Sequence, residues 1–157
     1  MKVLYNQFAK EMLTLSFRIT QRMEDAEDIV QESFLTSFQQ INKLKEPAHY
    51  RVWLKRIVVN NSIKQTRQKI HFTTIEDLEE EVEEHDNNWY KAISFDKIKT
   101  AINTLPDGCK QIFTLYLLED YKHREIAELL NIAVSTSKSQ YRYALKLLKE
   151  ELVKLKD

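Results

Sequence analysis

The chain has very few of the residues that end helices and make turns. Among its 157 residues there are one glycine and two prolines, although the turns of a sheet usually use glycine, asparagine or proline. This shortage predicts an almost entirely helical protein. It also excludes glycine-rich loops that hold phosphates or dinucleotides, because such loops need several glycines at fixed spacing and Gly108 stands alone.

Cysteine and histidine are also scarce. Cys109 is the only cysteine, which excludes an internal disulfide and a multi-cysteine metal site, and we expect it to be a small buried hydrophobe. The four histidines do not pair at metal-ligand spacing on one helix, so we predict no metal and no other cofactor, although ligands from separate parts of the chain stay open. No apolar run is long enough to cross a membrane and none opens the chain, which predicts a cytoplasmic protein.

Net charge is absent as well, since 24 Lys and Arg balance 24 Asp and Glu. A neutral chain argues against a nucleic-acid binder, but the distribution of charge reverses that impression. Residues 1–70 carry 12 basic and 7 acidic side chains, residues 71–90 carry 8 acidic and no basic ones, and residues 91–157 carry 12 basic and 9 acidic ones. An acidic segment therefore separates two basic ones.

Apolar spacing predicts an all-α protein with two small helical domains. Three helices, over about 3–20, 25–41 and 47–69, form the first domain at residues 1–69, and Pro47 suits the first helical position because its missing donor is unpaired there anyway. We interpret residues 70–90 as an acidic linker. Four more helices form the second domain at residues 91–157, and Ser94 is a plausible N-cap of the first of them.

The stretch from Asp25 to Phe34 is typical of an amphipathic helix with an acidic end. Its apolar residues are predicted to share one face, which consists of Ile29, Val30, Phe34, Leu35 and Phe38. The polar face consists of Asp25, Asp28, Gln31 and Glu32. The stretch alone fits either a solvated helix, whose acids suit the positive end of the helix dipole, or a face that binds a protein partner.

The third predicted helix is strongly basic. Between residues 43 and 69 a single acid, Glu46, accompanies Lys43, Lys45, Arg51, Lys55, Arg56, Lys64, Arg67 and Lys69. Tyr50 and Trp53 lie among them, and aromatic faces can stack on unpaired bases while basic residues neutralise phosphates. This combination suits melted DNA better than duplex DNA. The alternative is a solvated basic face, and Trp53 is assigned to packing in either case.

Near the C-terminus a short helix, a tight turn and a long helix follow in the order of a helix-turn-helix. Ala127 is small enough for close helix contact, and Asn131 tolerates the positive φ of the turn. The predicted interior comprises Ile126, Leu130, Ile132, Val134, Tyr141 and Leu145. The predicted reading side comprises Ser135, Thr136, Lys138, Ser139, Gln140 and Arg142. A plain helical hairpin is the alternative.

The order of these parts resembles a sigma factor of the extracytoplasmic-function (ECF) group, the small two-domain class of bacterial transcription initiation factors. The resemblance covers nearly the whole chain. It implies that the protein catalyses no reaction, binds core RNA polymerase and selects promoters. Two other kinds of protein stay open from the residues alone: a stand-alone helix-turn-helix regulator, and a helical adaptor that does not contact DNA.

The resemblance also implies roles for individual residues. The acidic helix is similar to the family's core-binding helix, which implies contacts to the clamp of the largest polymerase subunit from Asp25, Asp28, Gln31, Glu32 and Phe34. Phe34 stays open between this contact and core packing. The basic helix is similar to the segment that melts and reads the minus-10 element, which implies DNA contacts from Tyr50, Arg51, Lys55, Arg56, Asn60, Lys64 and Arg67. The second domain implies minus-35 contacts from the reading side, and an anti-sigma factor is the further partner implied.

Four positions differ from the residues common in the family. Lys64 stands where Asp is usual, Gln140 where Arg is common, and Asn131 and Ser137 replace the usual Gly and Val. For Ser137, we expect either a shifted helix start or a hydroxyl that bonds back to the preceding turn. The family resemblance is unaffected, and the promoter sequence stays open.

Overall fold

The computed structural model describes residues 1–67 and 93–155, and the chain divides into two compact units, Met1–Lys69 and Ile70–Asp157. The described residues are helical and include no strand, which confirms the predicted all-α class. The predicted acidic linker at residues 70–90 and the predicted end of the third helix at residue 69 lie outside the described residues. No helix in the described ranges is long and apolar enough to cross a membrane.

The first unit consists of three helices that pack against one another: α1 (Lys2–Thr20), α2 (Met23–Gln39) and α3 (Tyr50–Thr66). Gln21 ends α1 in the left-handed region, with φ 62°, and its N–H donates to the carbonyl of Phe17 at 2.8 Å. This left-handed residue caps the helix end and turns the chain toward α2. The largest fully buried side chains of the unit are Met12, Phe34, Leu54, Val58, Val59 and Ile63.

Two 3-10 turns, Ile41–Lys43 and Pro47–His49, connect α2 to α3. Pro47 is the first residue of the second turn, so the α-helix that we predicted from Pro47 begins three residues later, at Tyr50.

Small polar side chains join the three helices inside the first unit. The Ser16 and Ser62 hydroxyls are 2.9 Å apart, and both residues are 0% exposed. The Asn61 side-chain amide donates to the Ser33 hydroxyl at 3.0 Å. In the described parts of the chain, no buried side-chain nitrogen or oxygen lacks a hydrogen-bond partner. These polar groups are therefore buried without the penalty of an unmade hydrogen bond.

The described helices of the second unit are α4 (Phe95–Asn103), α5 (Asp107–Phe113), α6 (His123–Leu130) and α7 (Val134–Leu155), and α5 continues as a π-helical segment over Thr114–Leu118. Helices α4, α5 and α6 each pack on α7. The largest fully buried side chains here are Ile112, Phe113, Thr114, Leu115, Ile126 and Leu148. Ser94 is the N-cap of α4 by position, although its side chain makes no capping hydrogen bond.

Cys109 is 1% exposed, as a small buried hydrophobe should be. Burial raises the pKa of its thiol to about 11, which keeps it in the unreactive protonated form.

Candidate functional surfaces

The polar face of α2 is exposed and acidic. Asp28, Gln31 and Glu32 are all exposed, and their spacing of three and four residues places them on one side of the helix. Asp25 is half-buried, and its carboxylate lies 3.8 Å from the Arg22 guanidinium. Three of the four polar residues predicted to bind a partner therefore lie exposed on one face. The fourth, Asp25, is half-buried and lies at the N-terminal end of that face.

Phe34 and Leu35 were both predicted on the apolar face of α2, and the structure places Phe34 in the core and Leu35 on the surface. Phe34 is 2% exposed, with its ring centroid 4.9 Å from that of Tyr5 and 5.9 Å from that of Phe38. Of the two roles left open for Phe34, this burial favours core packing over a contact to the polymerase, because Phe34 follows the buried Val30 by one turn and extends the core. Leu35 was predicted on the apolar face, but it is 61% exposed and lies two turns after Asp28 on the acidic face.

A stripe of exposed polar side chains runs along α3. Its members are Arg56, Asn60, Lys64 and Arg67, spaced by three or four residues, and all four are exposed. This basic stripe carries three positive charges and one amide that can donate or accept hydrogen bonds. Lys55, another predicted DNA contact, is half-buried. The basic stripe can neutralise several phosphates of a nucleic-acid backbone.

Arg51, at the start of α3, pairs with Glu11 of α1. The Nε of Arg51 donates to one carboxylate oxygen at 3.0 Å, and a terminal guanidinium nitrogen donates to the other at 2.5 Å. This hydrogen bond is the largest cause of a lowered pKa of the Glu11 carboxyl. Burial opposes it, and the charges of Arg51 and Lys55 add smaller effects in the same direction as the hydrogen bond. Arg51 thus joins two helices of the bundle, in addition to any contact with DNA.

Tyr50 is part of the core of the first unit, which corrects the prediction that it stacks on unpaired bases. It is 4% exposed, its hydroxyl lies 2.8 Å from that of Ser37, and its ring contacts those of Phe8 and Trp53. Burial raises the pKa of the phenol. Trp53 is half-buried and meets Tyr50 edge-on, in keeping with its assignment to packing.

Helices α6 and α7 are joined by the turn that the sequence predicted. Asn131 is left-handed, with φ 55° and ψ 50°, and the N–H of Ile132 donates to the carbonyl of Ala127 at 3.0 Å. Ala127 is buried, as expected of a small residue where the two helices meet. Ile126, Tyr141 and Leu145 are buried as predicted, Leu130 and Ile132 are half-buried, and Val134 is 40% exposed, contrary to its predicted place in the interior.

The predicted reading residues of α7 lie on more than one face. Ser135 and Lys138 are exposed, whereas Thr136, Ser139 and Arg142 are half-buried, and the Ser139 hydroxyl donates to the Ser135 carbonyl at 2.9 Å. Gln140 is 5% exposed, which corrects its assignment to the exposed reading side. The physical reason is its spacing, since it lies one turn from both Ser137 and Ala144, which are 0% exposed.

Ser137 departs from the pattern of its motif, and the structure pairs it with a residue that sequence reasoning did not select. Its hydroxyl oxygen lies 2.8 Å from Nδ1 of His123, the first residue of α6. Helix α7 begins at Val134, in agreement with the expected turn, so neither a shifted helix start nor a bond to the preceding turn is needed. Nothing in the sequence signals this pair, because the two residues are 14 positions apart.

Two family models match the chain, one on each unit. Sigma-70 region 2 matches residues 4–70, and Sigma-70, region 4 matches residues 95–148. The first match includes the acidic face of α2 and the basic stripe of α3. The second includes α4 to α6 and most of α7.

Curated relatives match over nearly the full length of the chain. RNA polymerase sigma factor SigV of Bacillus subtilis is 30% identical, and the match covers 92% of this chain and 86% of the relative. The ECF RNA polymerase sigma-E factor of Haemophilus influenzae is 25% identical, over 96% of this chain and 86% of the relative.

A solved structure shares the fold. The sigma factor RpoE of Bartonella quintana, in complex with the anti-sigma factor NepR, is 17% identical to this chain, with a TM-score of 0.58. The match covers 96% of this chain and 95% of that one.

Proposed function

We propose a division of roles among the described helices from one premise: this chain belongs to the ECF group of RNA polymerase sigma factors. As a member of that group it is not an enzyme; it binds core RNA polymerase and directs promoter-specific transcription. What remains to be assigned is which side chains make these contacts. We also place the protein in the cytoplasm, because core polymerase and promoter DNA are there.

The exposed face of α2 is the proposed docking site for core polymerase. The observation that carries this assignment is that Leu35, an apolar side chain that is 61% exposed, shares its face with Gln31 and Glu32 one turn before it and with Asp28 two turns before it. An apolar contact within a polar rim is the usual anatomy of a protein interface. The clamp of the largest polymerase subunit is the proposed partner. We leave Phe34 out of this face because it lies in the core, and we place Asp25 at its edge.

The basic stripe of α3 is the proposed contact for the minus-10 element. Arg56, Lys64 and Arg67 supply charge for phosphates, and Asn60 supplies an amide that can hydrogen-bond to a base edge. Lys55 and Arg51 lie beside this stripe, and Arg51 also pairs with Glu11. Tyr50 is not part of the proposed surface, because its ring and its hydroxyl are both engaged inside the unit.

The start of α7 is the proposed contact for the minus-35 element. Ser135 and Lys138 are exposed there, and Thr136, Ser139 and Arg142 border them. In a helix-turn-helix the first residues of the second helix reach base edges in the major groove. Gln140 is excluded because it is buried. Accordingly, we assign residues 1–69 to polymerase and minus-10 binding and residues 91–157 to minus-35 binding, with residues 70–90 as the connection between them.

An anti-sigma factor is a further proposed partner. The related fold from Bartonella quintana was solved in complex with the anti-sigma factor NepR. A partner of this kind would cover the acidic face of α2 or the two DNA-binding surfaces. Its expected effect is to prevent the association with core polymerase that the next experiment measures.

The docking face is tested by measuring how tightly the protein binds core polymerase. We expect Asp28→Ala combined with Gln31→Ala to weaken association at least tenfold, because the substitutions remove a charge and an amide from the middle of the face. Glu46→Ala is the matched control, since Glu46 is an exposed acid of the same unit that lies outside α2. Equal affinity of the double variant and the control would refute the assignment of this face.

A further inference from the structure

We propose that the hydrogen bond between His123 and Ser137 positions α7 for minus-35 recognition, so that His123 acts on DNA binding without touching DNA. The inference rests on the proposed role of α7, and it adds a residue outside the reading helix to the determinants of that role. The observation behind it is a polar contact between the first residue of α6 and the fourth residue of α7, the two helices of the helix-turn-helix.

The contact is close and enclosed on the α7 side. His123 Nδ1 and the Ser137 hydroxyl oxygen are 2.8 Å apart, and either group is the donor according to the tautomer of the ring. Ser137 is 0% exposed. A buried hydroxyl that loses its partner keeps the full cost of its removal from water, which gives this bond more influence than an exposed one.

Aromatic rings hold the imidazole in place from two sides. The ring of His123 stacks on Tyr116, with centroids 4.2 Å apart and an angle of 17° between the planes. Tyr141 of α7 meets it edge-on at 5.7 Å, and Tyr141 and Tyr116 are themselves 4.4 Å apart. These contacts restrain the plane of the imidazole, and within that plane Nδ1 faces the Ser137 hydroxyl.

The position of Ser137 explains why this point matters for DNA. Thr136 and Lys138 are its direct neighbours on α7, and Ser135 lies two residues before it. The hydrogen bond of Ser137 to His123 therefore sets the distance between α6 and the first turn of α7. It also sets the rotation of that turn about the axis of α7. An aliphatic side chain at this position would fill space against α6 without specifying a direction, whereas a hydrogen bond imposes both a distance and an angle.

Two substitutions of His123 separate the hydrogen bond from the ring. His123→Asn keeps a polar atom near the position of Nδ1, able to donate or accept, and removes the stacked ring. His123→Phe keeps a ring against Tyr116 and Tyr141 and removes the hydrogen bond. If the bond positions α7, the asparagine variant retains recognition of the minus-35 element and the phenylalanine variant loses it.

The measurement uses holoenzyme, assembled from core polymerase and the full chain, on two duplexes. One is a promoter selected from random sequence by the wild-type holoenzyme, and the other is the same promoter with its minus-35 element scrambled. The readout is the ratio of the two affinities, which reports specificity and cancels non-specific contacts. We expect His123→Phe to reduce this ratio about threefold to tenfold, the range of one hydrogen bond, and His123→Asn to stay within about twofold of wild type.

Thermal unfolding of each variant separates positioning from simple stabilisation. A lower melting temperature of His123→Phe with an unchanged affinity ratio at a temperature where the variant is folded would overturn the inference, because the bond would then be structural only. An equal loss of the ratio in both His123 variants would also overturn it, since the ring would then be the cause. Wild-type holoenzyme that binds both duplexes equally would refute the minus-35 role of α7 itself, and the inference with it.

A double-mutant cycle completes the test. Ser137→Ala removes the other half of the pair, so its reduction of the affinity ratio should match that of His123→Phe, and the combined variant should lose no more than either one alone. Additive losses would mean that the two residues act independently and would overturn the proposal.

Discussion

Helices α3 and α7 are both assigned to DNA, and they differ in how far their packing faces are separated from their exposed faces. On α3 the four residues of the basic stripe are all exposed, and the buried face, which includes Leu54, Val58 and Ser62, lies apart from them. On α7 several of the proposed DNA contacts are half-buried, and the buried Ser137 and Gln140 lie among them. On α3 the charges lie on a helix that is packed in the three-helix bundle. On α7 the exposure of the reading residues depends on how that helix is positioned against α6.

This difference predicts two kinds of sensitivity to mutation. Where the faces are separate, a substitution affects either stability or DNA binding. Where the proposed DNA contacts are themselves half-buried, as on α7, a substitution of a buried neighbour affects recognition as well, as we propose for His123 and Ser137. On α3, substitutions on each face can test whether the separation holds.

The largest expected effect comes from the packed face of α3. Leu54→Ala should lower the free energy of unfolding of the first unit by about 2–5 kcal/mol, because it removes a side chain that is 0% exposed and leaves a cavity. Arg56→Ala, two residues away on the exposed stripe, should change it by less than about 0.5 kcal/mol. Urea denaturation of both variants measures the difference. Similar costs for the two substitutions would mean that the faces of α3 are not separate.

The next effect concerns the charge of the basic stripe. Arg56→Ala combined with Lys64→Ala should weaken binding of holoenzyme to a promoter fork with a single-stranded minus-10 element. The slope of log affinity against log salt should fall by about 0.7 for each phosphate that the variant no longer neutralises. Lys97→Ala with Lys99→Ala is the matched control, because it removes two exposed charges from α4. A slope that is unchanged in the stripe variant, or reduced equally in the control, would contradict the assignment.

A smaller effect is expected at Tyr50, which the sequence placed on the DNA-binding face and the structure places in the core. Tyr50→Phe removes the hydroxyl that pairs with Ser37, while Ser37 keeps its own bond to the carbonyl of Phe34 at 2.7 Å. We therefore expect a loss of about 1 kcal/mol in stability and no change in the rate of promoter opening. Slower promoter opening by a variant with unchanged stability would support a direct contact between Tyr50 and DNA.

The helices of both units could be predicted from the sequence because apolar spacing, Pro47 and Asn131 are local signals. Which face a single residue occupies was predicted less well. Phe34 and Leu35 are adjacent and both apolar, yet their burial differs because consecutive residues are turned by about 100° around a helix. Tyr50 and Gln140 have polar atoms and were expected on the surface, but both are buried. The Tyr50 hydroxyl pairs with Ser37 inside the unit, and Gln140 lies one turn from buried residues of α7.

The contact between His123 and Ser137 could not be predicted from the sequence for a different reason. Each residue looks ordinary in its own helix, and Ser137 even contradicts the pattern of its motif. Their chemistry becomes complementary only when the turn at Asn131 brings α6 and α7 together. Contacts of this kind depend on tertiary structure, which is why local pattern did not reveal them.

The smallest expected effect is a pH dependence of stability that comes from the ion pair between Glu11 and Arg51. It tests whether Arg51 stabilises the bundle or is available for a contact with DNA. Because the pair lowers the pKa of Glu11 in the folded state, it stabilises the fold fully above the ordinary pKa of a glutamate, about 4.3. That contribution is lost as the pH falls through the lowered value. Both side chains are more than a third exposed, so we expect at most about 1 kcal/mol.

Glu11→Gln isolates this contribution, because the amide keeps the shape of the side chain and removes its charge. The variant should be slightly less stable than wild type at pH 7, and urea unfolding curves of the two proteins should converge as the pH falls through the lowered pKa of Glu11, below which the wild-type carboxyl is also neutral. Curves that stay equally far apart at every pH would show that the ion pair does not cause the difference. Curves that coincide at pH 7 would mean that the ion pair contributes no stability to the bundle. Breaking it to let Arg51 contact DNA would then cost no free energy of folding.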